Sequence, residues 1–186
     1  MKHFLKLLAM PLAFGLVPYA AVAHDNSDDN SDDNSDDGRE FVAEMVQLNS
    51  SGVYAEVELK LIKGNTLKVE IEASGLEPGK PHPQHIHGKD NPVANATCPG
   101  LDADTNGDGI ITIGEGVPSF GPIILPLIPF DLVDASGNLD YEATFTINPG
   151  ALQPLHKRAI VLHGMTVDGA YVPSLPVACG ELVEED

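Results

Sequence analysis

The stretch VYAEVELKLIKGNTLKVEIEA, residues 53–73, decides the fold class of this chain. On both sides of its Lys-Gly-Asn turn, apolar residues alternate with polar ones, which is typical of strands with one buried and one solvent-facing side. The stretch therefore predicts an antiparallel β-hairpin. Its buried side comprises Val53, Ala55, Val57, Leu59 and Leu61 in the first strand and Leu67, Val69, Ile71 and Ala73 in the second.

Further strands are predicted around this hairpin. Residues 41–48 form a strand just before it, and residues 141–147, 158–163 and 175–179 form later ones. Many of the 15 prolines and 18 glycines fall between these runs, and no segment has the pattern of an amphipathic helix. We therefore expect one all-β domain over residues 40–186, an antiparallel β-sandwich or flattened barrel.

The N-terminal region predicts export. Residues 1–23 combine a basic start, an apolar run and a small-residue end, which is typical of a secretory signal peptide. The run is too short and too interrupted by proline to be kept as a membrane span. Residues 24–39 repeat Asn-Ser-Asp-Asp three times and predict a disordered acidic tail, because they hold no apolar side chain to bury. We expect a secreted or periplasmic protein.

Charge and cysteine content narrow the classes of partner. The formal net charge is -18, so contacts with nucleic acid or with an anionic membrane surface are disfavoured. The sequence holds no phosphate-binding loop and no nucleophile elbow. Cys98 and Cys179 are its two cysteines. In an oxidising compartment they predict one long-range disulfide, with two free thiols as the alternative.

A His-x-His pair follows the turn signal Pro78-Gly79. Alternate side chains on a strand point to the same face, so His85 and His87 share one face while Ile86 points to the other. Two imidazoles about 7 Å apart along the backbone can converge on one transition-metal ion. The pair therefore predicts a metal site.

Residues 104–115, DTNGDGIITIGE, match the calcium loop of EF-hands position by position. Hard oxygen donors at this spacing predict a Ca²⁺ site. The predicted ligands are Asp104, Asn106, Asp108, the Ile110 carbonyl, Thr112 and Glu115, with Gly109 at the sharp turn. Prolines and glycines on both sides exclude the long helix pair of a calcium sensor, so we expect a structural clip.

Three segments together resemble the copper–zinc superoxide dismutases. Residues 75–88, which carry the His-x-His pair, resemble that family's copper-binding strand, with one extra residue before the first histidine. Residues 158–164 resemble the strand with a further copper ligand, and Ala178-Cys179-Gly180 resembles the strand whose cysteine closes the disulfide. The resemblance covers residues 41–183.

The resemblance implies a Greek-key β-barrel, with copper held by His85, His87 and His163 and with superoxide as the substrate. His82 would be a structural residue that hydrogen-bonds the backbone near the site, or an additional ligand. Cys98 would be the disulfide partner of Cys179.

The chain also departs from that family. Ile123 stands where the family carries the histidine that bridges copper and zinc, and residues 127–139 contain no histidine. No zinc site of the family type is therefore expected. Pro176 replaces the cation that guides superoxide, which removes electrostatic steering from an already acidic protein. We hypothesise that the calcium loop takes over the scaffolding role of zinc.

Three functions follow from these patterns. The first is a copper-dependent oxidoreductase similar to superoxide dismutase, and the second is a non-catalytic copper-binding module on the same fold. The third is a calcium-stabilised binding or structural domain that resembles the chordin-type CHRD family, because Gly121-Pro122-Ile123 after a His-Ile-His-Gly segment fits that family too. Redox cycling separates the first from the second, and stoichiometric copper binding separates both from the third.

Overall fold

The computed structural model describes residues 38–62, 65–89 and 94–185. The predicted signal peptide and the acidic tail up to residue 37 lie outside this part of the chain. The strands are β1 (Arg39–Gln47), β2 (Tyr54–Ile62), β3 (Thr66–Ser74), β4 (Gln84–His87), β5 (Ile123–Pro126), β6 (Leu139–Thr146), β7 (Ala159–Val167), β8 (Ala170–Glu181) and β9 (Val183–Glu184). The helices are α1 (Ile113–Phe120) and α2 (Pro149–Leu152), with 3-10 turns at Leu101–Ala103 and Leu155–Lys157.

The strands form one antiparallel sheet in the order β5-β4-β7-β8-β1-β2-β3-β6, with β9 paired to β1. The neighbours β3–β6 and β4–β7 are not consecutive in sequence, so the chain crosses between the two ends of the sheet. The sheet curls around a core to which nearly every strand contributes. The predicted all-β antiparallel fold is confirmed.

The hairpin of β2 and β3 has the register that its alternation predicts. Val57 lies opposite Ile71 and Leu59 opposite Val69, and all four side chains are almost completely buried. The polar residues between them face solvent. A slip of one residue would turn this apolar row outward, so burial of one face fixes the register.

Strand β7 is buried on both faces, unlike the hairpin strands. Ile160 and Leu162 join the inner core, whereas Ala159 and Val161 pack in a second cluster on the outer face of the sheet. That outer face lies under residues 94–121, which we call the cover segment. A disulfide between Cys98 and Cys179 joins the cover segment to β8 and confirms the predicted pairing.

The sequence shows no amphipathic-helix pattern, yet the cover segment contains a short helix. Helix α1 has eight residues, contains Pro118, and begins after Thr112 with a capping box in which the Glu115 side chain bonds back to Thr112. Glycine and proline within the helix concealed it from periodicity, and the capping box supplies the local start. Among the described residues, no helix is long and apolar enough to span a bilayer.

Candidate metal centre

Two strands bring three histidines together on the outer face of the sheet. In the pairing of β4 with β7, His85 lies opposite Val161 and His87 opposite Ala159, so these side chains share the outer face. His163 follows on the same side of β7 by alternation, and irregular register on both sides of it adjusts its direction. The inward positions of both strands belong to the core.

The three imidazoles form a compact group. One ring nitrogen from each of His85, His87 and His163 lies within 4.8 Å of the others. The ring centroids are 5.7 Å apart for the first pair, 5.0 Å for His85–His163 and 5.8 Å for His87–His163. Ligands bound at about 2.0–2.1 Å lie at most about 4.2 Å apart, so small ring movements would bring the three nitrogens to one ion.

Hydrogen bonds settle which nitrogen of two rings is free. His87 Nδ1 donates to the Gly121 carbonyl at 2.9 Å, and His163 Nδ1 donates to the Ser174 carbonyl at 3.0 Å. A carbonyl can only accept, so each Nδ1 carries the proton and each Nε2 carries a lone pair. His87 Nε2, His163 Nε2 and His85 Nδ1 are buried and have no hydrogen-bond partner.

Three buried ring nitrogens without a hydrogen-bond partner, on rings that lie this close together, are a costly arrangement unless something binds them. Neutral imidazole nitrogens are the ligands that copper and zinc accept, and backbone hydrogen bonds from the opposite ring nitrogens hold such ligands in orientation. The donor set of His85, His87 and His163 therefore fits a transition-metal ion.

Burial keeps the three rings neutral. It lowers the pKa of His163 to about 3, with the His85 ring as a secondary cause. Burial also lowers the pKa of His85 to about 4, with a contribution from His87. The pKa of His87 is lowered by burial and partly restored by the bond to Gly121. At neutral pH the lone pairs are thus available to a metal.

His82 lies outside this group. Its Nδ1 donates to the His163 carbonyl at 3.0 Å, and its Nε2 accepts the Glu77 N–H at 3.2 Å. The ring also packs edge-on against Tyr171, with 5.9 Å between centroids. His82 thus hydrogen-bonds the backbone that carries His163 and is not a member of the group of three histidines, and its role stays a prediction.

The surroundings of the group are aromatic and apolar. The Phe120 ring centroid lies 4.7 Å from that of His87, and the Phe130 centroid lies 5.7 Å from that of His85. Ile123 on β5 pairs with His87 and is 46% exposed, so it lies beside the group on the open side. Residues 116–130 carry no charged side chain. The histidines are thus shielded from water on two sides.

The acidic loop lies in the cover segment, ahead of α1. The Asp104 carboxylate accepts bonds of 2.8 Å from the N–H groups of Gly107 and Gly109, and Gly109 has a positive φ of 85°. Glu115 joins the two ends of the loop by accepting from Thr105 and Thr112. These bonds lower the pKa of Glu115 to about 2.

The carboxylates of this loop do not form a close group as the histidine nitrogens do. Among the His, Cys, Asp and Glu side chains of the described residues, the three histidines are the one group of three or more whose ligand atoms could hold a metal ion, and these atoms lie within 4.8 Å of one another. The calcium site predicted at Asp104, Asn106, Asp108, Ile110, Thr112 and Glu115 therefore stays a prediction.

Sequence reasoning missed the residues that support the site. Gly121 and Ser174 act through backbone carbonyls, which carry no residue-type signal. Phe120 acts through a ring contact with His87, and an apolar residue carries no signal of a metal site. Asn49 was missed altogether, although its side chain bonds both Ile111 and the Pro176 carbonyl and so ties the loop to the sheet. Gly121 was the one signal in the sequence, because a glycine can mark a place where two backbone segments approach closely.

No family model matches the sequence, and no curated protein sequence matches it. Similar solved structures include a Candida albicans superoxide dismutase 5 with Cu(II), at 12% identity and a TM-score of 0.44, covering 80% of this chain and 94% of that one. A superoxide dismutase-like protein from Bacillus subtilis is 18% identical with a TM-score of 0.42, covering 76% and 97%. The clock protein EA4 is 14% identical with a TM-score of 0.44, covering 78% and 94%. These likenesses concern the fold, so the function is inferred from the side chains of this chain.

Proposed function

We propose that this chain is an exported, superoxide dismutase-like copper-binding protein whose metal is held by His85, His87 and His163. One observation carries the proposal: three histidines, each with a buried ring nitrogen that lacks a hydrogen-bond partner, come together at one place. Imidazole donors suit copper, and zinc accepts them as well. Ile123, at the position of the family's bridging histidine, leaves the open side without a fourth imidazole.

Held by His85, His87 and His163, a copper ion would supply one-electron redox chemistry, which suits the dismutation of two superoxide ions and two protons to dioxygen and hydrogen peroxide. The protein's own contribution is positioning and shielding. The bonds to Gly121 and Ser174 hold two rings in one tautomer, and Phe120 and Phe130 exclude water beside them. Superoxide dismutation is the activity that we propose first.

A non-catalytic copper-binding module is the second candidate, and charge favours it. Superoxide is an anion, the chain carries a net charge of -18, and Pro176 stands at the position of the family's guiding cation. The pKa shifts of the three histidines have no lysine or arginine among their causes. Without steering, association of an anion with the site slows. A superoxide assay on the copper-loaded protein separates the two candidates.

Copper titration with elemental analysis tests the site itself. We expect one tightly bound copper per chain in the wild type, with calcium present, and loss of that copper in His85→Ala and in His163→Ala. Each substitution removes one of three ligands, and no spare imidazole belongs to the group.

His156→Ala is the matched control, because His156 is exposed and lies outside the group. It should bind copper as the wild type does. If the wild type bound no transition metal, this result would contradict both the oxidoreductase proposal and the copper-module proposal. It would leave the calcium-stabilised CHRD-like domain as the remaining candidate.

We propose a structural Ca²⁺ at residues 104–115, supported by the position-by-position sequence match. Removing calcium with a chelator should lower the melting temperature and weaken copper binding, because the loop leads directly into α1 and the histidine site. Calorimetry and copper titration with and without calcium measure both effects. Unchanged stability and unchanged copper affinity after chelation would contradict this role.

Export is part of the proposal as well. We propose that residues 1–23 are cleaved as a signal peptide and that residues 24–39 form an acidic tail on a secreted or periplasmic protein. The disulfide between Cys98 and Cys179 supports an oxidising compartment, since such bonds persist there.

A further inference from the structure

The C-terminal end of α1 touches His87 in two ways. The Phe120 ring packs against the His87 ring, and the Gly121 carbonyl accepts the proton of His87 Nδ1 at 2.9 Å. Phe120 is completely buried, so its ring position is fixed by the surrounding cluster. The direction of His87 Nε2 therefore depends on where α1 ends.

The backbone just after α1 is locked to the end of β4. Gly121 has a φ of +83°, and a Cβ there would lie 2.3 Å from the Gly88 carbonyl oxygen. Gly88 in turn donates its N–H to the Pro122 carbonyl at 3.1 Å. Two chain segments that approach this closely move together, so a shift of α1 reaches the residue next to His87.

The N-terminal end of α1 is held by the acidic loop. One Glu115 oxygen accepts from the N–H and hydroxyl of Thr112, and the other accepts from the N–H and hydroxyl of Thr105. Ile111, just before the helix, exchanges two hydrogen bonds with the Asn49 side chain. With eight residues, α1 spans about 12 Å between this anchor and His87.

We infer that α1 is the positioning element of the copper site. Phe120 is the positioning residue that contacts His87, and Glu115 positions the helix from its far end. The inference deepens the proposed copper function and rests on it. A ring that must present Nε2 to a metal needs its orientation fixed, and partners of metal-binding histidines typically change metal affinity by about 10- to 100-fold.

Two glycines of α1 provide a matched test. A Cβ at Gly116 would lie 2.4 Å from Phe120 Cε1, whereas a Cβ at Gly114 would meet only Thr112 Oγ1, at 3.9 Å. Gly116→Ala and Gly114→Ala are the same substitution in the same helix, and both raise its intrinsic stability. Gly116→Ala displaces the Phe120 ring, and Gly114→Ala leaves it in place.

We expect Gly116→Ala to weaken Cu(II) binding about tenfold or more and to change the Cu(II) electron paramagnetic resonance spectrum. Gly114→Ala should match the wild type in both measurements. The melting temperature of the metal-free protein reports on the stability of the fold. If Phe120 only stabilised the fold, Gly116→Ala would change this temperature without changing the spectrum of the bound copper.

Phe120→Leu keeps the inference falsifiable if Gly116→Ala does not fold, because it removes the ring contact without adding volume. The inference would be overturned if both variants bound copper with wild-type affinity and gave an unchanged spectrum. If Gly116→Ala does not fold, the same result in Phe120→Leu alone would overturn it. Either result would leave the copper site intact. A wild type that binds no copper would instead defeat the proposed function.

Discussion

Removing the Cys98–Cys179 disulfide is expected to lower the free energy of unfolding by about 4.5 kcal/mol, the value that the chain-entropy relation gives for a closed loop of this length. The two cysteines are separated by 81 residues. Most small domains have a total stability of about 5–15 kcal/mol, so this loss is a large share of it. Urea unfolding of Cys98→Ser/Cys179→Ala against the wild type measures the effect.

The same variant should also weaken copper binding, because the disulfide holds the cover segment on β8 and the cover segment supplies Phe120 to His87. Glu181→Gln is the matched control. It alters the carboxylate that accepts the Cys98 N–H at 3.1 Å but keeps the disulfide. Unfolding of the double variant at the same urea concentration as the wild type would show that the disulfide does not stabilise the fold.

Acidification of the metal-free protein is the second large effect. An unfolded histidine has a pKa of about 6.5, while burial lowers the pKa of His85 to about 4 and that of His163 to about 3. At a pH between the folded and unfolded values, these histidines bind more protons in the unfolded chain than in the folded protein. The free energy of unfolding therefore decreases as the pH falls below 6.5. From pH 6.5 to 5 the expected loss is up to roughly 1.5 kcal/mol for each of these two rings.

Unfolding followed by circular dichroism at successive pH values measures this loss, and the window above pH 5 separates it from most carboxylate titration. His163→Leu should flatten the dependence, and His156→Gln, at an exposed position outside the histidine group, serves as the control. Copper should protect the wild type, because a bound metal competes with protons for the same lone pairs. A metal-free stability that stays constant from pH 6.5 to 5 would refute the neutral buried cluster.

The strands were predictable to different degrees. Alternation in residues 53–73 predicted β2 and β3 closely, because one face of that hairpin is buried and the other is wet. Strand β7 was predicted to stop at His163 but continues to Val167, and β8 begins at Ala170, five residues before the predicted start. Beyond the core these strands pair as a hairpin whose residues alternate poorly, so periodicity could not locate their ends.

Helix α1 illustrates the limit of local pattern. Its eight residues include Gly114, Gly116 and Pro118, which are all poor helix formers. The helix is held by the Thr112–Glu115 capping box at one end and by burial of Phe120 at the other. The capping box is local and could have been recognised, whereas the burial depends on the distant Cys179 and Val161.

For the histidine site, the amino-acid sequence by itself determined the donor types and the shared face of His85 and His87, because alternation on a strand is a local property. A resemblance, not a pattern, added His163. Tertiary structure alone decided that β4 and β7 lie side by side, that His82 bonds the backbone of His163, and that backbone carbonyls hold two of the three rings. Those decisions depend on contacts between residues as much as 81 positions apart, and no local pattern encodes such pairings.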